Sequence, residues 1–381
     1  DQTETEMTLS DGLQSSLKEH LKWSKPRLGC FVSLLLALLQ VKQMNLTLLV
    51  LAINDTTQLE SRYRRLQRFF QFTRFDYDAI ARMIMQMFGF NEQPFYLTLD
   101  RTNWKWGQKN LNILFLAVVY KGTAIPIYWL VLNKQGNSNQ RERIAQMNRF
   151  ISQFGSHSIQ GILGDREFIG QHWWEWLHTH NIPFFMRMKA SQHYLDKQGR
   201  SRAVRHLFSD LKPGNARILR KPRRVSGQAI YLSGLRLEGG ELLIIASNQF
   251  ESKPFDIYGR RWQIETLFQC LKGRGFNMEV TRLTHYFRIK KMVALLVIGF
   301  CWAHKTGEWK HKMIKPLRVK NHGRLEKNLF RYGLDHLTDQ LISGALDALE
   351  TSRLLLLFLC PPDWLEPTKS TNGYGFSIVD F

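Results

Sequence analysis

Apolar positions recur at intervals of three and four through residues 8–90, and that spacing predicts helices near 11–22, 26–41, 45–53, 57–72 and 76–88. Pro26 and the polar run "NDTT" punctuate the pattern. At residue 95 the period drops to two. "FYLTLDRT" alternates and ends beyond an acid, "NILFLAVVY" follows, and the pair Lys121–Gly122 separates it from "TAIPIYWLVL". Strands joined by tight turns predict an antiparallel meander. Pro126 restricts the third strand to a sheet edge, because proline has no N–H to give a neighbour. Helix, strand, helix and strand patterns follow in "QRERIAQMNRFISQF", "QGILGD", "GQHWWEWLHTH" and "IPFFMRMK". Together these predict an α/β fold, a mixed sheet with helices on its faces.

From about 190 to 254, short alternating runs and Gly-rich turns predict a β-rich insertion that also holds the basic run "RILRKPRR". A helix is expected over "YGRRWQIETLFQCLKG", residues 258–273, and a long one over "RIKKMVALLVIGFCWAHKTGEW". Further helices are expected near 324–344 and 346–359, before a Pro-flanked tail, "PPDWLEPTKSTNGYGFSIVDF", expected to be poorly ordered. The opening "DQTETEM" lacks an initiator methionine, so Met7 or Met44 is the expected start of translation.

Composition narrows the partner. The 381 residues carry 53 Lys+Arg against 32 Asp+Glu, a net charge of +21. Such an excess suits a polyanion, because each phosphate neutralised releases a condensed counterion. The basic residues are spread over many segments rather than gathered in one cluster, which argues against a membrane surface. The longest apolar runs, "FVSLLLALL" and "MVALLVIGF", are too short to span a bilayer. Cys30, Cys270, Cys301 and Cys360 form no C-x-x-C pair, so neither a zinc site nor a disulfide framework is expected, and a reducing cytoplasm fits. Residues 301–330 hold eight Lys/Arg and two Asp/Glu. In "TQLESRYRRLQRFFQF", Tyr63, Leu66 and Phe70 share one face, while Arg62, Arg64, Arg65 and Arg68 form a cationic one. That helix fits the reading element of a helix-turn-helix. A solvated basic face fits it equally well.

At about 100° per residue, Tyr258, Arg261, Glu265 and Lys272 fall within an arc of about 60°, beside an apolar arc of Ile264, Leu267, Phe268 and Leu271. A carboxylate, two cations and a phenol bordering a buried face suit a site for metal and phosphate; ordinary i,i+4 pairing on a surface helix fits too. Asp100 and Asp165 each stand at the end of a predicted strand, where ligand sites of α/β sheets gather. Together with Glu265 they supply three hard oxygen ligands, which select Mg²⁺ or Mn²⁺. Two such ions can activate a water or a 3′-hydroxyl and stabilise the leaving oxygen of a phosphodiester. Taken singly, each acid also fits a cap or turn. Glu167 offers a substitute ligand or a salt bridge to Arg166 or another base.

The spacing Tyr258-x2-Arg261-x3-Glu265-x6-Lys272 resembles the Tyr-Arg-Glu-Lys signature of bacterial insertion-sequence transposases, the IS-four group of DDE enzymes. "LDRTNWKWG", "GDREF" and "HGRLEKNLFRYGLD" are similar to other motifs of that group, so the likeness covers most of residues 50–345. It implies a ribonuclease-H-like core in which Asp100, Asp165 and Glu265 hold two Mg²⁺ (or Mn²⁺) ions while Tyr258, Arg261 and Lys272 grip DNA phosphates. It also implies residues 1–90 as a helical DNA-end-binding domain, 91–189 and 255–309 as the catalytic core, 190–254 as the insertion, and 310–381 as a basic, helical C-terminal region. The implied partners are double-stranded DNA, both terminal inverted repeats and target, and a second copy in a homodimer; no membrane is involved, and the place is the bacterial cytoplasm, at the nucleoid. Members cut the 3′ ends of their element with water, and many then form a DNA hairpin.

One departure concerns the hairpin. Relatives can place a Trp of the insertion against a flipped base, yet no Trp lies between Trp176 and Trp262 here; Tyr231 or Phe250 offers an aromatic face instead. Trp173, Trp174 and Trp176 suit core packing. A DNA-binding repressor that has lost catalysis, and a nuclease acting on other junctions, are the competing functions; the presence of every signature residue weighs against the first.

Overall fold

The computed structural model describes residues 7–321, 323–344 and 346–361. The expected poor order of the tail therefore falls, from residue 362 on, outside the described residues. Two compact units emerge. Among the described residues, one combines 7–91 with Asn103–Asn112 and 267–361; the other comprises Glu92–Thr102 and Ile113–Thr266.

The first unit is built of helices. They are α1 (Leu9–His20), α2 (Lys25–Val41), α3 (Leu46–Ala52), α4 (Leu59–Phe72) and α5 (Tyr77–Phe88), joined later by α10 (Tyr286–Trp309), α11 (Leu329–Ser343) and α12 (Ala348–Leu359). Their starts follow from local chemistry: Asn45, Asp76, Asn328 and Asp347 each accept backbone N–H groups of the first turn. Buried residues run all round α10, from Ile289 to Glu308, which makes it the core of this unit. No single described helix is long and apolar enough to cross a membrane; α1 and α2 reach that length only as a pair, bent by 120°.

The second unit carries the sheet except at Asn103–Asn112. Its strands are β1 (Phe95–Trp106), β2 (Lys109–Tyr120), β3 (Thr123–Leu132), β4 (Ile159–Gly164), β5 (Phe184–Met188), β6 (His193–Leu195), β7 (Ser201–Ala203), β8 (Ala216–Ile218), β9 (Arg223–Val225), β10 (Gln228–Arg236) and β11 (Leu242–Ser247). The order is β3-β2-β1-β4-β5-β11-β10-β9-β6-β7, with β8 also on β10. Two-residue connections at Gly107–Gln108 and Lys121–Gly122 make β1–β3 a meander, and β3, with Pro126, lies at the edge as expected. β4 and β5 run parallel to β1 and to each other. Their crossovers are α6 (Gln140–Phe154), opened by an Asn139–Glu142 capping box, and α7 (Gln171–Thr179). A three-strand meander extended by two parallel strands is the ribonuclease-H-like arrangement, and β6–β11 supply the β-rich part. Trp173 and Trp174 on α7 are fully buried, in keeping with core packing.

The expected single helix over 258–273 is interrupted. α8 (Pro254–Gly259) passes through a tight 3₁₀ turn at Arg260–Trp262 into α9 (Gln263–Leu271). Three residues turning 120° each rather than 100° advance the strip by about 60°. Tyr258 is thereby enclosed, packed with Leu163, Phe185 and Ile257, whereas Glu265 stays partly open to solvent.

Candidate active site

Parallel pairing of β1 with β4 sets Leu99 opposite Gly164. Asp100 and Asp165, the next residue on each, therefore lie side by side at about the 4.8 Å separation of paired strands. No feature of either residue alone reveals this; the register does. A third element brings the countercharge. Arg261, in the turn between α8 and α9, donates from Nη1 to Asp100 Oδ2 at 2.9 Å and stands 3.7 Å from Glu265 Oε1.

The three acids and Arg261 form one electrostatic unit. Burial pushes the Asp100 carboxyl up to about 7, against the pull of Arg261 and of the Arg101 N–H, while Glu265 and Asp165 add to the rise. Burial also works to lower Arg261, but Tyr258, Asp100, Asp165 and Glu265 outweigh it and hold the guanidinium above its usual range. Like charges so close repel unless a cation lies among them, and here the guanidinium is that cation. Its carbon lies 5.8 Å from the Tyr258 ring, and burial drives the phenol up to about 12.

Among the described residues no group of three or more His, Cys, Asp and Glu closes into a ready metal cage. The donor set nevertheless fits a divalent cation. It is all hard oxygen, the Arg261 guanidinium is in ion contact with Asp100 and Glu265 but not with Asp165, and Asp165 Oδ1 is buried without a hydrogen bond, its nearest ion contact being Arg166 at 4.0 Å. A buried carboxylate oxygen left in that state can accept a hydrogen-bond donor or a cation.

Other candidates lie as follows. Lys272 bonds Glu279 at 2.8 Å and the carbonyl of Asn103 at 3.3 Å. On α4, Arg62 donates to the carbonyls of Val50 and Ile53, Arg64 pairs with Glu60 and Arg65 with Asp55. Arg68 is exposed. In the insertion Tyr231 meets Phe250 edge-on at 6.0 Å, and Phe250 is exposed.

A supporting network escapes sequence reading. Glu167 accepts both bonds of Arg101 Nε at 2.8 and 2.9 Å, and its Oε1 also takes Ser138 N and Oγ. Arg143 in turn donates to Ser138 Oγ and to the carbonyl of Ser138. The partner of Glu167 is thus Arg101, the neighbour of Asp100, and the pair ties the middle of β1 to the segment after β4. Asp100 was expected at a strand end, but β1 continues to Trp106 and places it within the strand. The only sequence signal was a base directly after the first acid and an acid two residues after the second.

Residues 93–302 match the family model described as "Transposase DDE domain". Among solved structures, the chain is similar to a piggyBac transposase in a synaptic complex with hairpin DNA, at 11% identity and a TM-score of 0.43, over 92% of this chain and 84% of that one. This is a distant likeness. No curated protein matches.

Proposed function

Because the chain belongs to the transposase DDE domain family, whose members use divalent metal ions, we propose that it is an insertion-sequence transposase of the IS-four group. It binds terminal inverted repeats of double-stranded DNA as a homodimer and moves its element by cut and paste. Asp100, Asp165 and Glu265 are the ligands of the metal site. Two Mg²⁺ or Mn²⁺ ions bound there would supply an activated water or 3′-hydroxyl and neutralise the leaving oxygen.

The protein's own groups do the rest. Arg261 balances the acids from within the site and orients a non-bridging phosphate oxygen through its remaining N–H groups. Tyr258 supports that guanidinium with its ring, and Lys272 grips a DNA phosphate near the cut end. Residues 1–90 hold the element end, with Arg64, Arg65 and Arg68 of α4 on phosphates. Residues 91–189 and 255–309 form the catalytic core around the 190–254 insertion, and 310–381 add basic surface. Work on chromosomal DNA puts the protein at the nucleoid. A hairpin intermediate would need Tyr231 or Phe250 as the stacking face.

One observation carries this reading: the β1–β4 register sets Asp100 beside Asp165, and the Arg261 guanidinium that bonds Asp100 also faces Glu265. The test incubates labelled element ends with wild type and Glu265→Gln, with and without Mg²⁺. Wild type should cut only with the metal, whereas the variant should bind as tightly and not cut. Normal nicking by Glu265→Gln would end the proposal.

A further inference from the structure

The insertion carries a surface that neither the metal site nor α4 uses. Between Lys189 and Gln228 stand eleven Lys and Arg against two Asp. Both acids are already neutralised, Asp196 by Arg200 and Arg202 at 2.9 Å each and Asp210 by Arg217 at 2.6 Å. Arg220, Lys221 and Arg224 are exposed and, among the described residues, have no acidic partner.

Strand pairing shows how these charges are presented. Arg224 on β9 is opposite Ala229 on β10 and Leu195 on β6, and Leu195 is opposite Ser201 on β7. Cross-strand partners share a face, so these four make one row across the sheet. All four are exposed, Leu195 by 41%. Their chain neighbours Tyr194, Val225 and Ile230 turn the other way and are buried. The sheet thus has one face on the core and one open to water. That open face carries Arg224 among Ala, Ser and Leu, and Arg220 and Lys221 are exposed on the connection that leads into β9.

We propose that this face of the insertion is a second DNA-binding surface, recognising phosphates of duplex DNA without reading bases. The proposal rests on the function proposed above, since the polyanion that such a protein meets is DNA. Arg224 on the sheet and Arg220 and Lys221 on the connection before β9 hold a duplex through phosphate contacts and counterion release, and the short side chains of Ser201 and Ala229 let the backbone approach.

The test measures binding of the full chain to a labelled duplex, spanning an element end and its flank, between 50 and 200 mM salt. The comparison is with the triple variant Arg220→Ser, Lys221→Ser, Arg224→Ser. Three lost phosphate contacts should flatten the salt slope by about 2.7, so the variant loses about 40-fold less affinity than wild type over that fourfold salt change. A photocrosslinker at Ser201 should label the duplex, with the circular-dichroism spectrum unchanged in both proteins. Equal slopes and no crosslink, in a wild type that binds and cuts DNA, would overturn this inference alone. A wild type that binds no DNA would overturn both proposals. An acidic protein that crosslinks at Ser201 where DNA does not would assign the face to a protein partner, and the DNA reading would fall.

Discussion

Arg101 and Glu167 are each about 15% exposed and satisfy one another. Removing one member of such a pair strands the other charge beneath the surface, at about 3 kcal/mol. Arg101→Met should therefore lower unfolding stability by about that amount, and Arg101→Met with Glu167→Met should recover part of it. Urea unfolding of wild type and both variants checks this; an Arg101→Met variant within about 0.5 kcal/mol of wild type would deny the pair its role. At this scale the sequence revealed donors but not partnerships. Asp100, Asp165, Glu265 and Arg261 stood out by residue type and spacing, and the β1–β4 register and the turn at Arg260–Trp262 gather them. The Arg101–Glu167–Ser138 network stayed hidden, because its members bond across 66 and 29 residues and no local period records such distances.

Elements show the same division. Helices of the first unit were legible to within a few residues because most bury a stripe at the helical period, and α1, α3, α5, α11 and α12 carry side-chain caps. The break at Arg260–Trp262 was not, since no Gly or Pro inside it announces a change of winding. Nor does periodicity reveal where two helices cross. A Cβ on Gly307 of α10 would lie 1.8 Å from the carbonyl oxygen of Leu329, and one on Gly333 of α11 would lie 1.7 Å from that of Ala303. Backbone meets backbone there, so Gly307→Ala or Gly333→Ala must push the helices apart at about 3 kcal/mol. A thermal melt no different from wild type for both would refute so close a crossing. On α4 the arginines divide by task. Arg62 serves the carbonyls ending α3, so Arg62→Ala should lower stability by about 1 kcal/mol and leave the salt slope of DNA binding unchanged. Arg65→Ala with Arg68→Ala should do the reverse, reducing the slope by about 1.8. An unchanged slope in that double variant would move the end contact elsewhere.

For the molecule as a whole, a net charge of +21 and a pI near 10.0 mean that raising the pH relieves self-repulsion up to that point. One buried group should steepen this trend measurably. Lys305 on α10 donates to the carbonyls of Phe358 and Cys360 at the end of α12, and burial lowers it to about 7 from an ordinary 10.5. Between those values the unfolded chain holds a proton that the folded chain has released, so stability rises with pH across the window and levels off below about 7, where both states are protonated. A single proton contributes at most about 1.4 kcal/mol per pH unit. Lys305→Met keeps the length of the side chain and removes the titration, whereas every other charge is shared with wild type. The difference between their stability–pH curves therefore isolates Lys305: it should widen in favour of wild type from pH 7 to 10 and stay constant below 7. Parallel curves would mean that Lys305 stays charged inside the helical unit, held by those two carbonyls.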